Sequence, residues 1–191
     1  MGRFGWLLSG SVVTLTVLGV GGLAYVRSTG LDSRAQPSGF EAGVTRTARS
    51  LAIPDAVKRT PNPVAPSAAV LEEAMAHYAD HCASCHANDG SGKTEMGQGL
   101  FPKAPDMRLP ATQTMTDGEL FYVIEHGIRF TGMPSWSTGT ATGEQSTWHL
   151  VHFIRHLPQL SRFELDKMQQ LNPRSPEEVR QEIEEERFLN Q

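Results

Sequence analysis

The chain has 191 residues, 39% of them hydrophobic, and its 17 basic and 21 acidic side chains give a formal net charge of −4. This mild acidity does not indicate a nucleic-acid-binding protein, because such proteins concentrate positive charge on one face. It favours a protein partner with a basic docking face. The two cysteines are too few to complete a four-cysteine zinc site, and the sequence contains no internal repeats.

We predict that residues 1–27 form an N-terminal transmembrane anchor. The run from Trp6 to Val26 carries no charged side chain, and about 20 helical residues span a hydrocarbon core of about 30 Å. Trp6 and Tyr25 stand at its ends, where aromatic residues anchor membrane spans. A signal peptide is the alternative, because Gly22–Ala24 offers small residues for cleavage, although the run exceeds the usual apolar core of about 7–15 residues. Both interpretations place the rest of the chain outside the cytoplasm.

Residues 28–66 contain prolines, glycines and serines but few bulky apolar side chains. This composition is typical of a linker that is extended at its proline-rich end. We therefore predict a tether between the anchor and a following domain. The tether would either let that domain swing between partners or lie along a larger complex, and composition does not distinguish the two arrangements.

A first core helix is predicted from Ser67 to Cys82. Ser67 is a suitable N-cap, since its hydroxyl can accept a hydrogen bond from the first turn. Val70, Ala74 and Tyr78 then recur at helical spacing. This helix would carry the two cysteines of the chain at its C-terminal end.

The pentapeptide Cys82-Ala83-Ser84-Cys85-His86 has the spacing that attaches a haem covalently. Each of the two thiols can add to one vinyl group of the haem, and a histidine in the next position can ligate the iron. A redox disulfide or half of a zinc site is the alternative. Zinc would need two further ligands. We predict one haem c, attached at Cys82 and Cys85, with His86 as the first axial ligand.

On these residues the segment from Ser67 to Leu160 resembles the monohaem class I cytochromes c. That family places an aromatic residue four positions before the first cysteine of the motif, where this chain has Tyr78, so we include Tyr78 among the cofactor-binding residues. It usually has a glycine four positions earlier, where this chain has Ala74. The glycine-bearing stretch 87–92 is similar to the loop that follows the motif in these proteins. The resemblance implies an all-α fold, with a small cytochrome c-like helical domain around the haem at residues 67–160.

The resemblance also suggests a second axial ligand, Met133. The sequence Gly132-Met133-Pro134 looks like the loop that brings a thioether to the iron in this family. A Met/His pair raises the reduction potential and favours electron transfer. Alternatively, Met133 fills a gap in the core, and Met107, Met115 or the less suitable His126 ligates the iron.

Histidine ligands usually donate their outer ring N–H to a neighbouring acceptor. In the family this acceptor is usually a proline carbonyl in the loop after the motif, where the chain has Pro102 and Pro105. We favour Pro105.

Two further core helices complete the predicted domain. Thr116 and Glu119 form a capping-box pattern, and Gly127 would end the helix that they begin. The last core helix is predicted from about Gln145 to Leu157, where Pro158 ends it. Its apolar residues would pack across the first helix through Leu150 and Phe153.

Two groups of histidines also share helical spacing. His149, His152 and His156 lie on one stripe of the last core helix, and His77 and His81 are four residues apart. Pairs at this spacing can bind metal. Since no Glu or Cys accompanies them in a known pattern, we interpret the stripe as a solvated surface rather than a second metal site.

Residues 161–191 are predicted to form an acidic helical tail. Ser175 as the cap, Pro176 at the first position and the following glutamates indicate a helix start. The helix is either solvated, as charged runs usually are, or a docking element. In the second case Val179, Ile183 and Phe188 or Leu189 would face a partner or the haem domain.

These features predict a c-type cytochrome that transfers single electrons and is not an enzyme. Proteins that it resembles receive their haem in the periplasm, so we expect a single-pass protein of the bacterial cytoplasmic membrane with a periplasmic haem domain. Its partners would be redox proteins or a respiratory membrane complex. It is either a free carrier or a dedicated subunit of a larger respiratory or dehydrogenase complex. A haem sensor or peroxidase requires that Met133 leave the iron open.

Overall fold

The computed structural model describes residues 3–174 and 176–189, and this part of the chain contains helices and no strands. The chain divides into two compact units, of which the first ends at Ala35 and the second begins at Gln36. The predicted all-α class is confirmed. The α-helices are α1 (Arg3–Thr29), α2 (Gly39–Ala52), α3 (Asp55–Lys58), α4 (Ala68–His77), α5 (Ala83–His86), α6 (Glu95–Gly99), α7 (Pro110–Gln113), α8 (Asp117–His126), α9 (Ala141–His156), α10 (Arg162–Leu171) and α11 (Pro176–Leu189).

Helix α1 contains a candidate membrane span at Leu8–Thr29, with a mean hydropathy of 1.6. None of the window that defines this span is buried in the structure. An apolar helix of this length with every face exposed requires an apolar environment from outside the chain. By length and composition, α1 is thus the one helix among the described residues that could cross a membrane.

The segment that we predict as an extended tether contains two helices. Helix α2 begins with a capping box, in which Ser38 and Glu41 bond to each other's backbone amides. The residue after it, Ile53, is only 2% exposed. Composition did not reveal this helix, although Phe40, Val44 and Leu51 recur in it at helical spacing.

The second half of this segment packs on the helical core. The Asn62 side chain donates to the Trp148 carbonyl at 2.9 Å, and His152 Nε2 donates to the Val64 carbonyl at 2.8 Å. Trp148 and His152 both lie on α9. In addition, α3 contacts α8. Residues 53–66 are thus part of the surface of the C-terminal unit rather than a free linker.

The centre of the core is the contact between α4 and α9. Ala74 on α4 is 1% exposed, and Leu150 and Phe153 on α9 are 3% and 1% exposed. The rings of Tyr78 and Phe153 lie 5.0 Å apart. The small side chain of Ala74 suits this close approach, as a glycine would.

The predicted helix starts agree with the structure, but two lengths differ. Ser67 caps α4, and Thr116 and Glu119 form the capping box of α8, which ends at Gly127. Helix α9 begins at Ala141, one turn before the predicted start, because Thr140 supplies its N-cap. The first helix becomes a π-helical turn at Tyr78–Cys82.

The interpretation of the histidine stripe as a solvated surface is wrong. His149 is 5% exposed. Its Nδ1 lies 3.2 Å from Oε2 of Glu73, but the two atoms do not form a hydrogen bond. His156 Nε2 lies 2.7 Å from Oε1 of Glu164. His152 and His156 thus bond to Val64 and Glu164 of the flanking segments, and the spacing within α9 could not predict these partners. Among the described residues, no group of three or more His, Cys, Asp or Glu side chains is arranged to hold a metal ion.

The first half of the predicted tail also belongs to the core. Helix α10 begins with a capping box at Ser161 and Glu164, and Met168 is fully buried in the hydrophobic core. Lys167 Nζ pairs with Glu72 on α4 at 2.5 Å. These contacts tie α10 to the domain.

Helix α11 forms within the second half of the tail. The predicted cap, Ser175, lies outside the described residues, as does the Val179 side chain. Ile183, Phe188 and Leu189 are 52%, 79% and 81% exposed. The described apolar residues of this helix are therefore open to solvent.

Arg108 joins two loops near the end of the haem motif. Its Nη1 donates to Asp89 at 2.9 Å and its Nη2 to Asp106 at 2.7 Å. The hydrogen bond from Arg108 is the main cause that lowers the pKa of Asp106. The pKa of Asp89 is lowered as well: its burial raises the pKa, but bonds from Ser91 and the charge of Arg108 together outweigh that effect.

The substitution Met168→Ala should lower the free energy of unfolding by about 2–5 kcal/mol, because it leaves a cavity in the core. Phe163→Ala on the same helix is the matched control, since Phe163 is 77% exposed, and it should change stability by less than about 0.5 kcal/mol. Urea unfolding of the purified chain measures both. Equal effects of the two variants would show that α10 does not pack on the core.

The substitution Arg108→Gln should lower the free energy of unfolding by about 1 kcal/mol at pH 7, since the pairs are partly exposed. Carboxylates with a lowered pKa stabilise the fold above their unfolded value, which is 3.8 for Asp106, and lose that contribution as pH falls through the folded value. The difference between wild type and variant should therefore shrink below about pH 4. Unfolding at several pH values measures it, and a constant difference would contradict the charge pairing.

Candidate haem-binding site

The cysteine motif follows directly from α4 through the π-helical turn. Cys82 is the last residue of that turn, and Cys85 and His86 lie on α5. Single π-helical turns within α-helices occur frequently at functional sites. This turn keeps Tyr78 and Ala79 buried while it carries Cys82 to the partly exposed edge of the core.

The two thiols are free in the structure. Burial, and to a smaller extent the neighbouring Cys85, raises the pKa of Cys82 to about 12. A redox-active cysteine needs a lowered pKa, since the thiolate is the nucleophile. The environment of Cys82 therefore lacks this feature of a redox-active cysteine.

His86 is held as a neutral imidazole. Burial lowers its pKa, and the Pro105 carbonyl opposes this effect to a smaller degree. Its Nδ1 is buried and has no hydrogen-bond partner in the structure. The carbonyl that acts on this ring belongs to Pro105, whereas no described contact joins Pro102 to His86.

Backbone contacts hold the loop around Pro105 against the motif. The Met107 amide donates to the Gly90 carbonyl at 2.8 Å, and the Ala104 amide donates to Gly97 at 3.0 Å. Gly92 has a φ of +68°, and a Cβ at this position would lie 2.4 Å from the Ala104 oxygen. Only glycine permits this approach without displacing the loop.

Tyr78 braces the motif from inside the core. It is 1% exposed, and its hydroxyl donates to the Ala87 carbonyl at 3.0 Å. Burial raises its pKa well above the ordinary value, so the hydroxyl remains a donor at neutral pH. The structure thus places Tyr78 between Phe153 and the residue that follows His86.

Met133 lies in a loop, residues 127–136, that folds back on the end of α8. The Ile128 amide donates to the Met133 carbonyl at 3.0 Å, and the Trp136 amide donates to Ile124 at 3.0 Å. Gly127 has a φ of +65°, and a Cβ there would lie 2.7 Å from the Met133 oxygen. This Met133 loop is therefore closely packed at its base, and Met133 itself is half-buried.

The Met133 loop contacts the segment that carries the motif. The Trp136 ring lies 5.5 Å from the ring of His81, in an edge-to-face arrangement next to Cys82. The Leu100 side chain, from the loop after the motif, packs against Gly132. The structure thus brings the sequence around Met133 to the sequence around Cys82.

The alternative ligands lie in other settings. Met107 is 7% exposed within the hydrophobic core, and Met115 packs against that core. His126 Nδ1 donates to the Tyr122 carbonyl of its own helix at 3.1 Å. Sequence reasoning did not find Arg108 or Trp136, because neither follows a known spacing. The only sequence signal for Arg108 was the presence of two aspartates, Asp89 and Asp106, after the cysteine motif.

These residues fit a haem. Two free thiols, a neutral imidazole with a buried outer nitrogen, and a half-buried thioether are the donors that a c-type haem uses. Once one imidazole nitrogen of His86 ligates iron, the other would need an acceptor, and the Pro105 carbonyl is a group that already acts on this ring.

Comparison with known proteins gives one family match. Residues 69–154 match the family model described as cytochrome C oxidase, cbb3-type, subunit III. No curated protein matches the chain. The matched range contains the cysteine motif, Pro105 and Met133, and it runs from α4 into α9. The motif, the helical core and this match together identify residues 69–154 as a cytochrome c domain.

Proposed function

We propose that this cytochrome carries single electrons at the periplasmic face of a bacterial cytoplasmic membrane, to which α1 anchors it as a retained single span. The observation that carries the proposal is the packing of the Met133 loop against the motif segment, through Trp136 and His81. It supports a haem held between His86 and Met133. When bound, the haem supplies one-electron exchange between ferrous and ferric iron.

The chain's own residues would hold the group in three ways. The Cys82 and Cys85 thiols would add S–H across the two vinyl groups of the haem: sulfur bonds to one vinyl carbon, the hydrogen goes to the neighbouring carbon, and nothing leaves. His86 would hold the iron through Nε2 and keep Nδ1–H directed at the Pro105 carbonyl. Met133 would supply the second iron ligand, which supports a carrier rather than an enzyme.

A second candidate is a dedicated cytochrome subunit of a respiratory complex. The description of the matching family names an oxidase subunit, and the packing of residues 53–66 on the domain shortens the free linker. Native purification separates the two functions, since a free carrier migrates alone and a subunit migrates with its complex.

Covalent attachment should depend on both cysteines. Replacement of Cys82 and Cys85 together by serine should release all haem under denaturing conditions, and each single variant should retain one thioether. Ser84→Ala, between them, is the control and should retain the haem, because Ser84 is exposed. Haem staining of denaturing gels and pyridine haemochrome spectra measure this. Haem that stays with the double variant would refute the assignment.

The substitution Met133→Ala should abolish the ferric charge-transfer band of a methionine-ligated haem, lower the reduction potential and permit CO binding by the ferrous protein. Met96→Ala is the control, since Met96 is 58% exposed, and it should leave the spectrum unchanged. Optical spectra with and without CO and a redox titration measure both variants. A wild-type protein without the band that binds CO readily would instead support a sensor or enzyme.

A further inference from the structure

Helix α2 exposes an apolar stripe that no described part of the chain covers. Phe40, Val44 and Leu51 are 79%, 53% and 79% exposed, and no residue of the helix is buried. Residues spaced four and seven apart lie on one face of a helix. The three side chains therefore form a continuous apolar face on an otherwise polar helix.

The other face of α2 is polar and basic. Arg46, Arg49 and Thr45 lie away from the stripe by helical spacing. Between Arg27 and Ala52 the chain has four arginines and two acidic residues. A stable amphipathic helix with excess positive charge is the type of helix that binds at the surface of an anionic bilayer.

The position of α2 in the chain limits what can cover this stripe. Residues 30–38 are the only connection between α1 and α2, and nine residues span at most about 30 Å. At its other end α2 leads directly into the buried Ile53. The start of α2 can therefore lie no more than about 30 Å from the end of α1.

We propose that α2 lies along the bilayer surface with Phe40, Val44 and Leu51 inserted among the lipids. This inference rests on the membrane anchoring in the proposed function. Because residues 53–66 pack on the haem domain, a surface-bound α2 would hold that domain close to the membrane. Electron exchange would then be restricted to partners whose redox centres lie near the same surface.

The test is a comparison of nitroxide labels at adjacent positions of the full-length, haem-loaded chain in nanodiscs of phosphatidylcholine and phosphatidylglycerol. Val44→Cys places a label on the apolar stripe, and Thr45→Cys places one about 100° around the helix, towards its polar side. Power saturation with oxygen and with a water-soluble nickel chelate reports depth. We expect the label at position 44 to show the accessibility of a lipid-exposed site and the label at position 45 to show that of a water-exposed site.

Three outcomes would overturn the inference. Water-side values at both positions would show that α2 is off the membrane. Exclusion of both reagents at position 44 would show that protein covers the stripe. A label at Val17→Cys, within α1, tests the anchor separately. If this label is not in lipid, both the anchoring and the binding of α2 to the membrane are refuted. If the label at position 17 is in lipid and the label at position 44 is in water, only the α2 inference is refuted.

A second variant shows whether the apolar stripe causes the insertion. Phe40→Glu together with Leu51→Glu should move the position 44 label to the water-side value and leave the Val17 label and the haem spectrum unchanged. An unchanged label at position 44 would overturn the assigned role of the stripe. Wild-type chain should take up no label if both motif thiols are bonded to haem, which also verifies the labelling site.

Discussion

The packing of α4 against α9 is the contact on which the haem site depends. Ala74 allows the two helices to approach, and Phe153 packs against Tyr78 at their crossing. Tyr78 in turn donates to the Ala87 carbonyl, directly after the motif. The orientation of Cys82, Cys85 and His86 therefore follows in part from a helix crossing in the core, because the motif directly continues α4.

The surroundings of His86 show how backbone geometry prepares a ligand. Burial keeps the imidazole neutral by lowering its pKa, which is the state that a metal requires. The loop that brings the Pro105 carbonyl to the ring can approach only because position 92 has no side chain. Arg108 then links Asp106, next to Pro105, with Asp89, which follows the motif. A backbone acceptor, one glycine and one ion-paired arginine thus determine the environment of the proximal ligand.

The segments that flank the domain have more structure than their composition indicates. Asn62 and Val64 bond to α9, and Met168 fills a site in the core. Each contact depends on a single residue that meets a distant part of the chain, so a local pattern does not reveal it. His149, in contrast, is buried on α9 beside Glu73 of α4, within the core itself. The contacts of the flanking segments enlarge the domain and shorten the linker between it and the membrane-spanning helix α1. A shorter linker limits how far the domain can move.

The sequence by itself determined the haem motif, the apolar N-terminal helix and the caps at Ser67 and Thr116, because each depends on residues that are close together in the chain, and the all-α class followed from the resemblance. It also pointed to Met133 and Pro105 through resemblance, and their roles as ligand and acceptor stay predictions. Only the tertiary structure decided that the Met133 loop meets the motif through Trp136 and His81, that α10 completes the core, and that Arg108 braces the loop beside His86. These features join residues far apart in sequence, and such contacts are set by the packing of the whole domain rather than by any local spacing.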